Sequence, residues 1–248
     1  VNQNQTGGSG IALAMDTSGN VCSVAALRNG QLCSEHTFRH GMHLSEDLIA
    51  HVEAVLRDAE CELTDVEIYA VGIGPGSFTG TRIGVMTIKT FAIVHNRPTY
   101  GVDGLEAMAM EYAGTAQIIV PILPCRAATV YAGIYAVADG KPNVIATPAA
   151  IPLAALIELL PIVSSADALF CGEAVERYHQ ELVEAVARAP FSIGSVRYPQ
   201  ASVIGEIAWR RRLAGDTGDD ATALVPLYIS PPPISLPKTA FPVAEKPL

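Results

Sequence analysis

Apolar positions fall into short runs that alternate with stripes spaced three and four apart. Ile11 to Met15 is a continuous apolar run and predicts a strand, and Val21 to Leu27 predicts a second. Asn29-Gly30 is a hairpin signal before a third strand, Leu32 to Phe38. From Leu44 to Ala59 the period changes, with Leu44, Leu48, Val52, Val55 and Leu56 on one stripe of a helix. Ser45, Glu46 and Asp47 stand in its first turn, where hydroxyls and negative charge suit the helix dipole. Ile68 to Ile73 reads as a buried strand and leads into a glycine loop. From Thr81 the pattern is helical again, through Ile83, Met86, Thr90 and Val94. Pro98 to Val102 then predicts a strand and Gly104 to Ala113 a helix, so the first half reads β-β-β-α-β-α with a further β-α appended.

The second half is looser. Strands are predicted at Gln117 to Leu123 and Thr129 to Val137, followed by an Asp139-Gly140 turn. Pro152 to Leu160 predicts a helix, Leu169 to Gly172 a short strand, Glu173 to Ala187 a helix, and Ser202 to Ala214 another that carries Trp209 and Arg210-Arg211-Arg212. Strands followed by helices in both halves predict an α/β protein of two duplicated βββαβα-type units with mixed sheets, although no internal sequence repeat is evident. The divisions expected are a disordered leader over 1–10, halves at 11–113 and 114–229, and a proline-rich tail over 230–248.

Composition narrows the function classes. Half of the 248 residues are hydrophobic and 17% are charged, which is the make-up of a folded core. A formal charge of −9 argues against a surface built mainly to hold nucleic acid. The five cysteines, Cys22, Cys33, Cys61, Cys125 and Cys171, are scattered and form no C-x-x-C pair, as expected of thiols in a reducing cytoplasm. VNQNQTGGSG lacks the basic start and apolar core of a signal peptide, and the uncharged stretch closest to a membrane span, Tyr112 to Cys125, is short and broken by Pro121 and Pro124. A soluble, cytoplasmic protein without a membrane partner is the expectation.

Candidate chemistry gathers at the glycine loop, where Gly72, Gly74, Gly76 and Gly80 are interleaved with Pro75, Ser77 and Thr79. A strand, a glycine loop and a helix start aim free N–H groups at what lies beyond, commonly a phosphate or another chain. Gly80 and Gly84, four apart, leave one side of the helix open to a second backbone. The loop matches neither the Walker A nor the Rossmann pattern, and a tight crossover whose glycines serve packing alone is the competing reading. Histidines 36, 40, 43 and 51 lack a second cluster of ligands, so no metal site is expected. Ser18 and Ser77 lack a nucleophile elbow, and no catalytic residue is assigned. Asp16-Thr17-Ser18 reads either as an ordinary Asx/ST turn or as the acidic turn of phosphate-handling proteins.

The string GIGPGSFTGTRIGVMTIKTFA resembles the signature of the TsaB family, also called YeaZ. Asp16-Thr17-Ser18, His43, Phe170-Cys171-Gly172-Glu173 and Leu224-Val225-Pro226-Leu227-Tyr228 extend the resemblance over most of the chain. It implies an actin-like ATPase (ASKHA) fold. It also implies a dimerising scaffold subunit in the formation of N6-threonylcarbamoyladenosine in tRNA. Such a subunit pairs with and stabilises a TsaD-like catalytic paralogue, is joined by a TsaE-like ATPase, forms a homodimer when alone and meets tRNA only indirectly. The interface implied involves His43, Leu44, Asp47, Leu48, Gly80, Arg82, Ile83, Gly84 and Thr87. A nucleotide or phosphate loop would use Asp16, Thr17, Ser18, Gly74, Gly76, Ser77 and Thr79, with ATP and Mg²⁺ expected at the level of the complex rather than on this chain. Three positions depart from the family pattern: Pro124 and Thr129 where acids are expected, and Ser230 where Arg is usual. Two other readings stand beside this one: an autonomous sugar-kinase-like phosphotransferase using Asp16 and the loop, and a homodimeric binding module.

Overall fold

The computed structural model describes residues 10–39, 43–138, 141–163, 168–186, 191–195 and 197–229. Residues 1–9 of the expected leader, the 230–248 tail with Ser230, His40 and the Asp139-Gly140 turn lie outside the described residues.

The first three strands form the expected meander: β1 (Ile11–Asp16), β2 (Val21–Arg28) and β3 (Gln31–Arg39), with Asn29 and Gly30 at positive φ in the tight turn. Helix α1 (Leu44–Asp58) leads to β4 (Val66–Gly72), which adds to β1 in parallel. Helix α2 (Phe78–His95) starts three residues before the expected Thr81, because the Ser77 hydroxyl accepts from the Gly80 N–H and caps it there. β5 (Thr99–Val102) and α3 (Gly104–Glu111), capped by Asp103, complete the unit. The sheet order is β3-β2-β1-β4-β5.

The remaining chain repeats this plan. β6 (Ile118–Pro124), β7 (Thr129–Ala138) and β8 (Lys141–Pro152) form a second meander, α4 (Leu153–Val163) follows, and β9 (Ala168–Cys171) pairs in parallel with β6. Then come α5 (Ala174–Arg177), α6 (His179–Val186), β10 (Phe191–Ile193) and α7 (Ala201–Leu213). Read from β8 inward, the second sheet runs β8-β7-β6-β9-β10, which is the order of the first with each strand in its counterpart's place. The duplicated α/β architecture is therefore present in the strand order, where no sequence repeat exposes it.

Three elements differ from expectation. β8 carries Pro142, Pro148 and Pro152, which mask it as a strand; it lies at the sheet edge, where a missing N–H costs least. β10 is only three residues long. The helix expected over Glu173 to Ala187 breaks at Tyr178, whose hydroxyl donates to the Ala127 carbonyl across the second half.

Each sheet buries two faces. Leu13, Met15, Val24, Tyr69 and Val71 meet Leu48, Val52, Val55, Val85 and Ile88 of α1 and α2. The opposite face is lined by small residues, Ala12, Ala14, Ala25 and Ala70, and α7 settles closely on it through Ala201, Ile204 and Ala208. Gly205 permits that approach: a Cβ there would lie 2.3 Å from a Leu27 methyl. In the second half α4, α5 and α6 cover one face, and α3 from the first half covers the other through Leu105, Met108 and Ala109. The last helix of each repeat thus packs on the other repeat's sheet. Residues 201–229 consequently lie against the first half, across the division expected after residue 113: Asp219 bonds Thr99 and Gly101, and the Leu227 N–H donates to the Ile73 carbonyl.

Candidate functional site

Strand alternation decides where Asp16 points. Ala12, Ala14 and Asp16 share one face of β1, so the carboxyl turns toward α7. It is fully buried. One oxygen, Oδ1, accepts from the Ser18 N–H at 2.9 Å and the Ser18 hydroxyl at 2.8 Å; the other, Oδ2, has no hydrogen-bond partner. Burial pushes the pKa up to about 6, with the two Ser18 bonds acting against the rise. Gly72 has to lack a side chain here, because a Cβ would sit 1.9 Å from Oδ2, and Ile204 of α7 closes the same space.

The glycine loop closes on this turn. The Ser77 N–H donates to the Ser18 carbonyl at 2.6 Å, and the Thr17 hydroxyl donates to the Gly80 carbonyl at 2.8 Å. A Cβ at Gly76 would meet the Ser18 carbonyl at 2.3 Å, one at Gly80 the Thr17 carbonyl at 2.2 Å, and one at Gly84 the Thr17 hydroxyl at 2.3 Å. Gly74, at φ +98°, accepts from the Gly104 N–H. A second backbone does approach the glycine side of α2, as expected, but it is the chain's own Asp16–Ser18 turn. The competing reading of the glycines, packing at a tight crossover, describes these contacts.

A cleft of about 170 Å³ lies between the halves, below the roughly 300–1,000 Å³ usual for small-molecule pockets. Ser18, Gly19, Asn20, Pro75, Gly76 and Ser77 form one wall, and Leu123, Pro124 and Glu173 the other, with Tyr198 and Pro199 beside them. Asp16 and Thr79 are not part of its lining. Glu173 is the one acid there. Burial raises its pKa, while a hydrogen bond from Asn20 and the charge of Arg39 lower it. Sequence reasoning passed over Glu173 as a site residue, though its place after the strand-end Gly172 matches the glycine loop of the first repeat.

Mg·ATP, the group an actin-like fold implies, does not fit these residues. Holding it needs an acid near the phosphates from each half. Asp16 faces α7 instead, while Pro124 ends β6 and Thr129 begins β7 without a charge to offer. No group of three metal-ligating side chains occurs among the described residues.

The expected interface residues divide sharply by burial. Leu44, Leu48, Gly80 and Gly84 are buried inside the chain, where they shape the α1–α2 pair. His43, Asp47 and Arg82 are exposed, and Ile83 and Thr87 are half-buried. Beside them stand apolar side chains that the sequence reading left out: Met86 at 57% exposure, Ile93 at 56%, Val94 at 71% and Ile49 at 41%. From Phe78 to His95 α2 contains no acid, whereas the outward side of α1 carries Glu46, Asp47, Glu53 and Asp58. Arg82 is braced by its own chain: its guanidinium stacks on Phe78 at 3.8 Å and its Nε donates to the Tyr228 hydroxyl at 2.7 Å.

The remaining candidates are occupied locally. His36 pairs with Asp58 at 3.0 Å, and His51 stacks on Phe38. Arg210, Arg211 and Arg212 pair with Glu206, Asp216 and Glu67. No helix among the described residues is long and apolar enough to cross a membrane.

Comparison with known proteins adds the following. A family model described as "TsaD: tRNA N6-adenosine threonylcarbamoyltransferase" matches residues 40–233. The tRNA threonylcarbamoyladenosine biosynthesis protein TsaB of Bacillus subtilis is 28% identical over 219 residues, 88% of this chain and 93% of that protein. TsaB of Escherichia coli is 38% identical over 97 residues, 39% of this chain and 42% of that protein. The solved structure of YeaZ from Pseudomonas aeruginosa superposes with a TM-score of 0.73 at 26% identity, over 88% of this chain and 99% of that one.

Proposed function

The chain belongs to the family that the TsaD model describes, and within it to the TsaB (YeaZ) proteins, and from that premise we propose that it is the non-catalytic, dimerising subunit of the assembly that makes N6-threonylcarbamoyladenosine in tRNA. Its role lies in tRNA threonylcarbamoyladenosine biosynthesis. Within that role it binds and stabilises a TsaD-like catalytic paralogue, a TsaE-like ATPase joins the pair, and tRNA is met through the partner.

The observation that carries this reading is the inward turn of Asp16. The acid that phosphoryl or metal chemistry would need lies under α7, and its loop is closed by the Ser18 carbonyl rather than open to a ligand. The autonomous phosphotransferase reading is weakened by this, and by Pro124 and Thr129 in the second half, where an acid was expected; Glu173 is the acid that half brings to the cleft.

The partner face is the outer side of α1 and α2: Asp47, Ile49, Arg82, Met86, Ile93 and Val94. An acidic helix beside one without acids is self-complementary under two-fold pairing, so a related chain with the same helix pair fits it. The same face serves a homodimer when the partner is absent.

Size-exclusion chromatography of the chain mixed with TsaD from the same organism tests the proposal. The expected result is a heterodimer that replaces both free species. Failure to associate at tens of micromolar, or tRNA modification by this chain alone, overturns it.

A further inference from the structure

A second cavity lies away from the inter-half cleft, between the crossing helices α3 and α7 and the start of β8. It encloses about 260 Å³, the larger of the two. Met110 and Ile207 give it an apolar floor, and four charged side chains, Glu106, Lys141, Arg210 and Arg211, stand around it.

Two of those charges are already committed. Arg210 is held by Glu206, and Arg211 donates to Asp216 at 2.7 Å and to the Gly101 carbonyl at 3.0 Å. The other two are not. Among the described residues the Glu106 carboxyl and the Lys141 ammonium have no hydrogen bond or ion pair, with each other or with any other group. Glu106 is half-buried on α3, and burial raises its pKa while Arg211 draws it back. A half-buried carboxyl that feels a nearby positive charge but accepts no hydrogen bond still carries a desolvation cost that a bound donor would relieve.

One negative and one positive group on separate walls, over an apolar floor, describe the complement of a particular ligand. We infer that this cavity is a binding site for a small zwitterion with an apolar body, of the α-amino-acid type. Its ammonium is taken by Glu106, its carboxylate by Lys141, and its side chain lies on Met110 and Ile207. The ligand would touch α3 from the first repeat and β8 from the second, and so bridge the two halves at the point where their helices cross. Nothing in this inference depends on the partner-binding role.

L-Leucine is the probe, with leucinamide and 4-methylpentanoate as analogues lacking the carboxylate and the ammonium. Titration followed by amide chemical shifts is expected to show leucine binding with a Kd on the order of 1 mM, and each analogue binding at least about tenfold more weakly. Glu106→Gln should reduce leucine to the level of 4-methylpentanoate, and Lys141→Ala to that of leucinamide. Glu106→Gln removes an unpaired charge, so the fold should tolerate it; its Tm checks this. Equal binding of leucine and 4-methylpentanoate would reduce the site to an anion contact and overturn the inference. So would the absence of shifts at 20-fold the expected Kd, or shifts unchanged in both variants.

Discussion

The two repeats share strand order and helix order, yet the ends of their first strands differ. In the first, β1 runs into Asp16-Thr17-Ser18, a fully buried polar turn onto which four glycines allow the next connection to close. In the second, β6 ends at Pro124 and reaches β7 through Ala127 at positive φ, with no acid on the way. The connection from the fourth strand to its helix is nonetheless close in both. Gly172 stands at φ +111°, and a Cβ there would lie 2.2 Å from the Ile122 carbonyl oxygen, the same distance as a Cβ at Gly80 would lie from the Thr17 carbonyl oxygen. Close backbone approach is therefore a property of the architecture, while the acid is peculiar to one half.

The parallel is broken most severely by giving each half a methyl group it has no room for. Gly80→Ala and Gly172→Ala each set a Cβ against a backbone carbonyl, and Gly172 adds a positive φ. Each should lower unfolding free energy by about 3–4 kcal/mol in urea titrations. A tolerated Gly172→Ala would show that the second half closes more loosely than the first.

The halves should separate in partner binding. Met86 on α2 and Val183 on α6 are both exposed apolar residues, at 57% and 47%. Met86→Arg is expected to weaken TsaD binding by about 2–3 kcal/mol, or roughly 30- to 150-fold, whereas Val183→Arg leaves it unchanged. Calorimetric titration measures both, and neither substitution should shift stability by more than about 0.5 kcal/mol. Gly84→Arg is unsuitable as an interface probe, because it strikes Thr17 inside the chain.

A smaller contrast lies in the response to pH. The native Asp16 holds its proton up to about pH 6, against 3.8 for the free group. The folded state therefore binds more protons across that window, and stability falls as pH rises through it, by ~3 kcal/mol in all. Asp16→Asn removes the slope but leaves an amide N–H unpaired, so at pH 8 it should gain about 1–2 kcal/mol over the wild type and gain nothing at pH 4. Pro124→Ala, at the matching strand end, should leave the pH profile of unfolding unchanged. Denaturation from pH 4 to 8 compares the three proteins.

Much of this was legible in the residues. Apolar runs and three-four stripes located the first-half elements to within a few positions, and the glycine string with its neighbours pointed to the TsaB proteins. Strand alternation in Ala12, Ala14 and Asp16 even held the direction of the acid, had it been followed one residue further. β8 was not legible, because three prolines hide a strand that survives only at an edge. Nor was the burial of Leu48, Gly80 and Gly84, since a stripe shows that a face is covered but not by what.

By itself the sequence determined local conformation and family, because backbone preference and hydrophobic period act within a few residues of chain. Only the tertiary structure decided that α7 closes over Asp16, that α3 and α7 exchange sheets, and that the glycines face the molecule's own turn. Those outcomes rest on contacts between positions tens to hundreds of residues apart, where the same glycine suits a phosphate, a partner or a self-contact equally well and only the atom that fills the space tells them apart.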